Sequence, residues 1–215
     1  MSIFDIQAAQ DAWIFQNITK TFQEDPLIKE QWWYPLCMSL RIEEFRPLQE
    51  WFEKTDKDKS GTLELNELKS AKFPGGLRLD EDTCRKLMKI FDMDLSGNIG
   101  FYEYLALMKF VDLVDKTFTH FDADHSGTMD LNEMMAALPQ LGFDITRKNC
   151  EALIRANARG LFSKKIKRSQ FVGCVSFLGL TRSIYQKAMN VKNENFKRED
   201  FSRFMNLVLL ICDEL

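Results

Sequence analysis

Three twelve-residue stretches of this chain carry one pattern: residues 56–67 (DKDKSGTLELNE), 92–103 (DMDLSGNIGFYE) and 122–133 (DADHSGTMDLNE). Each has aspartate at positions 1 and 3, serine at 5, glycine at 6 and glutamate at 12. Six spaced oxygen donors around a sharp glycine turn, closed by a two-oxygen glutamate, make a shell for a hard cation. Calcium takes six to eight oxygens at roughly 2.3–2.6 Å from such a loop. One match arises by chance easily; three in one chain make Ca²⁺ the expected ligand.

The side-chain ligands expected are Asp56, Asp58, Ser60 and Glu67; Asp92, Asp94, Ser96 and Glu103; Asp122, Asp124, Ser126 and Glu133. Position 7 (Thr62, Asn98, Thr128) supplies a backbone carbonyl, and position 9 (Glu64, Gly100, Asp130) acts through water. Glu64 and Asp130 are a fourth acid in the first and third loops, so those two are expected to bind more tightly than the second. Neutral serine at position 5 points to a micromolar sensor range rather than a nanomolar buffer range.

The flanks repeat with the loops. Position 8 is Leu63, Ile99 or Met129, the residue that forms a short β-bridge to a paired loop. The pattern extends into two copies without calcium chemistry. Residues 159–170 (RGLFSKKIKRSQ) keep Ile166 at position 8, and residues 189–200 (MNVKNENFKRED) keep Phe196. Met189 and Val191 stand where the first two ligands belong. Loops therefore begin at 56, 92, 122, 159 and 189, successive starts lying 36, 30, 37 and 30 residues apart.

The short separations constrain the fold most. Only residues 104–121 lie between the second and third loops, without glycine or proline. One helix, about 27 Å long, must serve both loops. Residues 171–188 make the same demand, although Gly173 and Gly179 are expected to weaken that helix. The fold class is all-α: five EF-hand repeats, two pairs and one unpaired C-terminal hand, with short β-bridges between paired loops. Residues 1–43 form a helical, aromatic extension ahead of a 44–215 calcium-binding domain. Trp32-Trp33-Tyr34-Pro35 is expected to pack that extension on the core, the alternative being a membrane-interface anchor.

Five repeats with alternating long and short separations resemble the penta-EF-hand family of calpain regulatory domains, sorcin and grancalcin. The likeness covers about 44–215 and includes Met134-Met135-Ala136-Ala137-Leu138 and Phe171-Val172-Gly173-Cys174-Val175. A narrower resemblance is to amoebic granule calcium-binding proteins of the grainin type. The family's N-terminus is a flexible Gly/Pro-rich tail; the one here is helical. The resemblance implies that the odd fifth hand pairs with another chain. Phe196, Phe201, Phe204, Met205, Val208 and Leu209 would then form the interface of a homodimer, or of a heterodimer with a protease partner.

Composition excludes other classes. A net charge of −3 is slight and argues neither for nucleic acid nor for strong membrane attraction, and no nucleic-acid partner is expected. The only two histidines, His120 and His125, lie beside or inside the third loop, leaving no catalytic Cys–His or Ser–His pair, so no enzyme is expected. Five cysteines without CxxC spacing point to reduced thiols, and no secretory segment opens the chain. A cytoplasmic location is expected, with granule or vesicle association as an accompaniment. The expected function is a calcium sensor and adaptor that exposes apolar surface to a protein target or, reversibly, a membrane. A calcium buffer or storage protein of granules is the alternative. Ten methionines, several around the loops, suit either an adaptable surface or a packed core.

Overall fold

The structure, a computed structural model, describes residues 3–158 and 164–214. The first five residues of the fourth loop, 159–163, lie outside the described residues, as do Met1, Ser2 and Leu215. Before the first loop come α1 (Ile3–Glu24), α2 (Pro26–Lys29), α3 (Tyr34–Met38) and α4 (Ile42–Thr55). The first hand closes with β1 (Thr62–Leu63) and α5 (Leu65–Ser70); the second is α6 (Glu81–Phe91), β2 (Ile99–Gly100) and α7 (Phe101–Phe121). The same α7 enters the third hand, followed by β3 (Thr128–Met129) and α8 (Leu131–Gln140). Then come α9 (Arg147–Asn157), β4 (Ile166–Lys167), α10 (Arg168–Ala188) and α11 (Arg198–Glu214).

Bridge residues pair as their apolar character requires. Leu63 faces Ile99 and Met129 faces Ile166 in two antiparallel two-strand ladders, with all four side chains buried. Helix α7 runs 21 residues unbroken, about 32 Å, and its buried residues form the spine of the molecule. Phe52, Phe101 and Tyr104 cluster at its start, and Phe118 meets Phe171 near its end.

Helix α10 is also unbroken, despite its glycines. A Cβ at Gly173 would meet Thr83 Oγ1 at 3.0 Å, and one at Gly179 would meet the Trp32 ring at 3.1 Å. The glycines thus let α6 and Trp32 approach α10 closely, and that packing outweighs their poor helix propensity.

The extension is docked. Trp33 is buried, donates its indole N–H to Ile90 O at 3.2 Å and packs on Phe91. Trp32 donates to Ser183 Oγ at 2.8 Å and stands edge-on to Phe110. Met108, Met129 and Met134 are buried and Met88, Met93 and Met135 half-buried, so these six fill core rather than line a free surface. No helix among the described residues is long and apolar enough to cross a membrane.

In the fifth hand Phe196 follows a 3₁₀ turn, Asn193–Asn195, and pairs with no strand among the described residues. Its ring packs on Tyr185 and Phe201 and covers the Arg182 guanidinium at 4.2 Å, with Trp32 also against that cation at 5.1 Å. Phe201, Met205 and Leu209, expected at a dimer interface, are buried inside the chain, Phe201 against Phe143 and Tyr185. Asn206 fastens α11 to α9 through Thr146 N and Asn149 Nδ2, at 2.9 and 2.7 Å. Periodicity places these residues on an apolar face; it does not say that the facing helix belongs to the same chain. Phe204 and Val208 are half-buried, and Leu207 is 56% exposed.

Candidate calcium-binding loops

Each loop begins where a helix ends. The amides of Asp56, Asp92 and Asp122 still bond back to Phe52, Met88 and Phe118, at 2.8, 2.8 and 2.9 Å, and the next residues leave the helix. The chain then takes positive φ at position 4 (Lys59, Leu95 and His125, φ 58, 59 and 51°) and at the glycine of position 6 (φ 81, 83 and 72°). Two left-handed residues so close together curl the backbone into a cup, and glycine adopts that conformation without a steric penalty.

Backbone amides line the cup. Asp56 accepts from Ser60 N and Gly61 N at 3.0 and 2.9 Å, and Asp58 from Ser60 N at 3.0 Å. Asp92 and Asp94 accept from Ser96 and Gly97, and Asp122 and Asp124 from Ser126 and Gly127, every bond between 2.9 and 3.0 Å. The serine hydroxyl donates to the position-7 carbonyl, Thr62 O, Asn98 O or Thr128 O, at 3.0, 3.2 and 2.9 Å.

Glutamate 12 closes each ring. One oxygen accepts from the position-2 amide (Lys57, Met93, Ala123; 2.8, 2.7 and 3.2 Å) and the other from the position-9 amide (Glu64, Gly100, Asp130; 3.1, 2.8 and 2.9 Å). This second bond is half of a helix capping box, so the glutamate starts the exit helix as well as closing the loop.

In each loop the two aspartates and the glutamate bring carboxylate oxygens within 4.8 Å of one another. Hydroxyl and backbone N–H donors hold the Asp58 and Asp94 carboxyls below their usual range. The Ser126 hydroxyl, with backbone and Lys165 help, holds Asp124 down to about 2. Burial, reinforced by Asp94 and Asp92, pushes the Glu103 carboxyl up. Three mutually repelling carboxylates in an all-oxygen cup fit a hard divalent cation, which supplies the missing positive charge. The two predicted aspartates and the closing glutamate are thus brought together in each of the three loops.

Three features of the site were not anticipated from the sequence. Asp130 Oδ1 accepts from Asn132 N and Glu133 N at 2.8 and 3.0 Å, capping α8. Asn98 Nδ2 reaches Thr62 Oγ1 across the first bridge at 3.5 Å. Lys165 of the fourth loop pairs with Asp124 of the third, Nζ to Oδ2 3.4 Å.

Fold and site define an EF-hand calcium-binding protein. The EF-hand domain pair family model matches residues 45–109, the span of the first two hands. Penta-EF hand domain-containing protein 2 of Dictyostelium discoideum is 31% identical over 169 residues, 77% of this chain and 80% of that protein. Human peflin is 28% identical over 154 residues; the match takes in 70% of this chain but only 54% of peflin. The solved structure of a homolog of programmed cell death 6 protein from Leishmania major Friedlin superposes with a TM-score of 0.52 at 26% identity, covering 75% of this chain and 88% of that one. This chain belongs to the penta-EF-hand family. Its three acidic loops are calcium-binding EF-hand loops.

Proposed function

We propose that this protein is a calcium sensor whose loops, on filling, shift the helices that hold the N-terminal extension and uncover apolar surface for a partner. One contact carries the reading. Trp33 hydrogen-bonds Ile90 O and packs on Phe91, and the next residue is Asp92, the first ligand of the second loop. A change in the angle between α6 and α7 alters the seat of Trp33 directly. Because α7 is shared, filling the third loop acts on the same rod. Sensor EF-hands open in this way and offer apolar surface to an amphipathic helix or short peptide.

The partner would be a protein segment of that kind, with reversible membrane association as a second destination. A dimer through the fifth hand is part of the proposal, now through Phe204, Leu207 and Val208, which face outward at least in part. A cytoplasmic location is supported by four buried, unpaired thiols.

The test is a Ca²⁺ titration of the purified protein with a hydrophobic dye, following tryptophan emission in parallel, with Mg²⁺ as control and chelator for reversal. A reversible rise in dye signal at about micromolar Ca²⁺ supports the sensor. Binding seen by calorimetry with flat dye and tryptophan signals overturns it in favour of storage, the grainin-like alternative.

A further inference from the structure

The fourth loop lacks the acidic ligands of the other three, yet its described part, residues 164–170, sits against a calcium-competent loop. Strand β4 pairs with β3, so Ile166 lies opposite Met129 and Lys167 opposite Thr128. Lys165 is position 7 of the fourth loop. In the first pair the position-7 side chain of one loop also crosses to its neighbour: Asn98 Nδ2 reaches Thr62 Oγ1 at 3.5 Å. There the crossing group is neutral. In the second pair it is an ammonium, 3.4 Å from a carboxylate oxygen of Asp124, position 3 of the third loop. Among the described ion pairs, Asp124 is the one carboxylate of the three clusters with a basic partner.

We propose that Lys165 is an affinity-setting residue: its ammonium competes with calcium for the charge of the third loop and weakens binding there. Two effects act in the same direction. In the calcium-free protein the lysine relieves repulsion among Asp122, Asp124 and Glu133, so the empty loop is more stable. In the filled loop a positive charge stands beside a divalent cation that uses the same carboxylate. The pair is half-exposed, with side-chain accessibilities of 41% for Lys165 and 57% for Asp124. Solvent screening keeps the effect modest, about two- to fivefold in dissociation constant. The fourth repeat thus does more than complete a β-bridge: it adjusts the ion affinity of its neighbour. The proposal rests on calcium binding by the third loop, not on the sensor reading.

The experiment is calorimetric Ca²⁺ titration of the full chain carrying Glu67→Gln and Glu103→Gln, so that the third loop is read alone. In this background Lys165→Gln is expected to tighten binding about two- to fivefold at low ionic strength, and the gain should shrink in about 0.5 M KCl as screening grows. Lys165→Arg keeps the charge and should keep the weaker affinity. Lys164→Gln removes an adjacent exposed charge and should leave binding unchanged. A second readout is the melting temperature in chelator, which Lys165→Gln should lower slightly while enlarging the rise on calcium addition. No tightening in Lys165→Gln, an equal gain in Lys164→Gln, or a gain insensitive to salt would each overturn the assignment.

Discussion

Gln170 Oε1 accepts the backbone N–H of Lys167 at 2.7 Å, the bond that Glu67, Glu103 and Glu133 make to the position-9 amides of their own loops. Position 12 therefore has two separable jobs. It starts the exit helix through one oxygen acceptor, for which an amide suffices, and it closes the cation shell, for which a carboxylate is needed. The fourth loop retains the first job and has lost the second.

Glu103 allows that separation to be tested. Its carboxyl is buried and its charge opposed by burial and by Asp94 and Asp92. Glu103→Gln should remove the second loop from a calcium titration yet cost the chelator-treated protein less than Glu103→Ala does, because its amide oxygen keeps the cap bond to Gly100 and a buried charge is gone, although its NH₂ cannot accept from Met93. Glu103→Ala should remove the loop and also lose the cap, costing about 1 kcal/mol in denaturant unfolding. Equal losses from both variants would refute the two-job account.

The order of site affinities follows from how the extra acids are used. Glu64 and Asp130 both stand at position 9, but Asp130 already caps α8, and the third loop also faces Lys165. Glu67→Ala should therefore abolish the tightest calorimetric site, and Glu133→Ala a weaker one. Survival of the tightest site in Glu67→Ala would show that ligand charge does not set the ranking.

A third expectation concerns the junction between hands. Asp115 of α7 binds Arg168 of α10 through two bonds of 2.5 Å, and Gly75 of the linker between the first two hands lies against the pair, where a Cβ would collide with both side chains. The backbone at Gly75 is also left-handed, φ 69°. Asp115 is buried and Arg168 partly exposed, so Asp115→Asn should cost about 2 kcal/mol, below the range for a fully buried pair. Gly75→Ala should cost at least as much, through strain and displacement of the pair. An unchanged urea midpoint in either variant would exclude a structural role for the contact.

Much of this architecture was legible because loop spacing is a hard constraint. Thirty residues between loop starts leave room for one helix, and α7 and α10 are each one helix. The bridge pairs Leu63–Ile99 and Met129–Ile166 followed from position 8. What stayed hidden depends on which surfaces meet. The apolar face of α11 reads the same whether it packs on α9 and α10 or on another chain. Gly179 reads as a weak point in a helix until Trp32 is seen against it. Lys165 is one of four basic residues between Lys164 and Arg168, and only the second bridge brings it to Asp124. Local sequence carries the loops; long-range pairing decides what touches them.

The thiols give a prediction with a definite sign. Cys37, Cys84, Cys150 and Cys174 are buried, and burial pushes each thiol from 9.0 up to about 12. The folded chain therefore keeps these protons across a window in which an unfolded chain releases them. With fewer protons bound in the unfolded state, stability falls as pH rises from about 9 towards about 12, and the thiols contribute no pH dependence below that window. Urea midpoints should decline between about pH 9 and about pH 11. Cys174→Ala should flatten that slope, whatever its packing cost does to the midpoint itself. At pH near 8 the thiolate is the reactive form, so iodoacetamide should label these four positions only after unfolding. Rapid labelling of any of them in the native protein, located by peptide mass spectrometry, would show that the helices around that thiol open far more often than the packing implies.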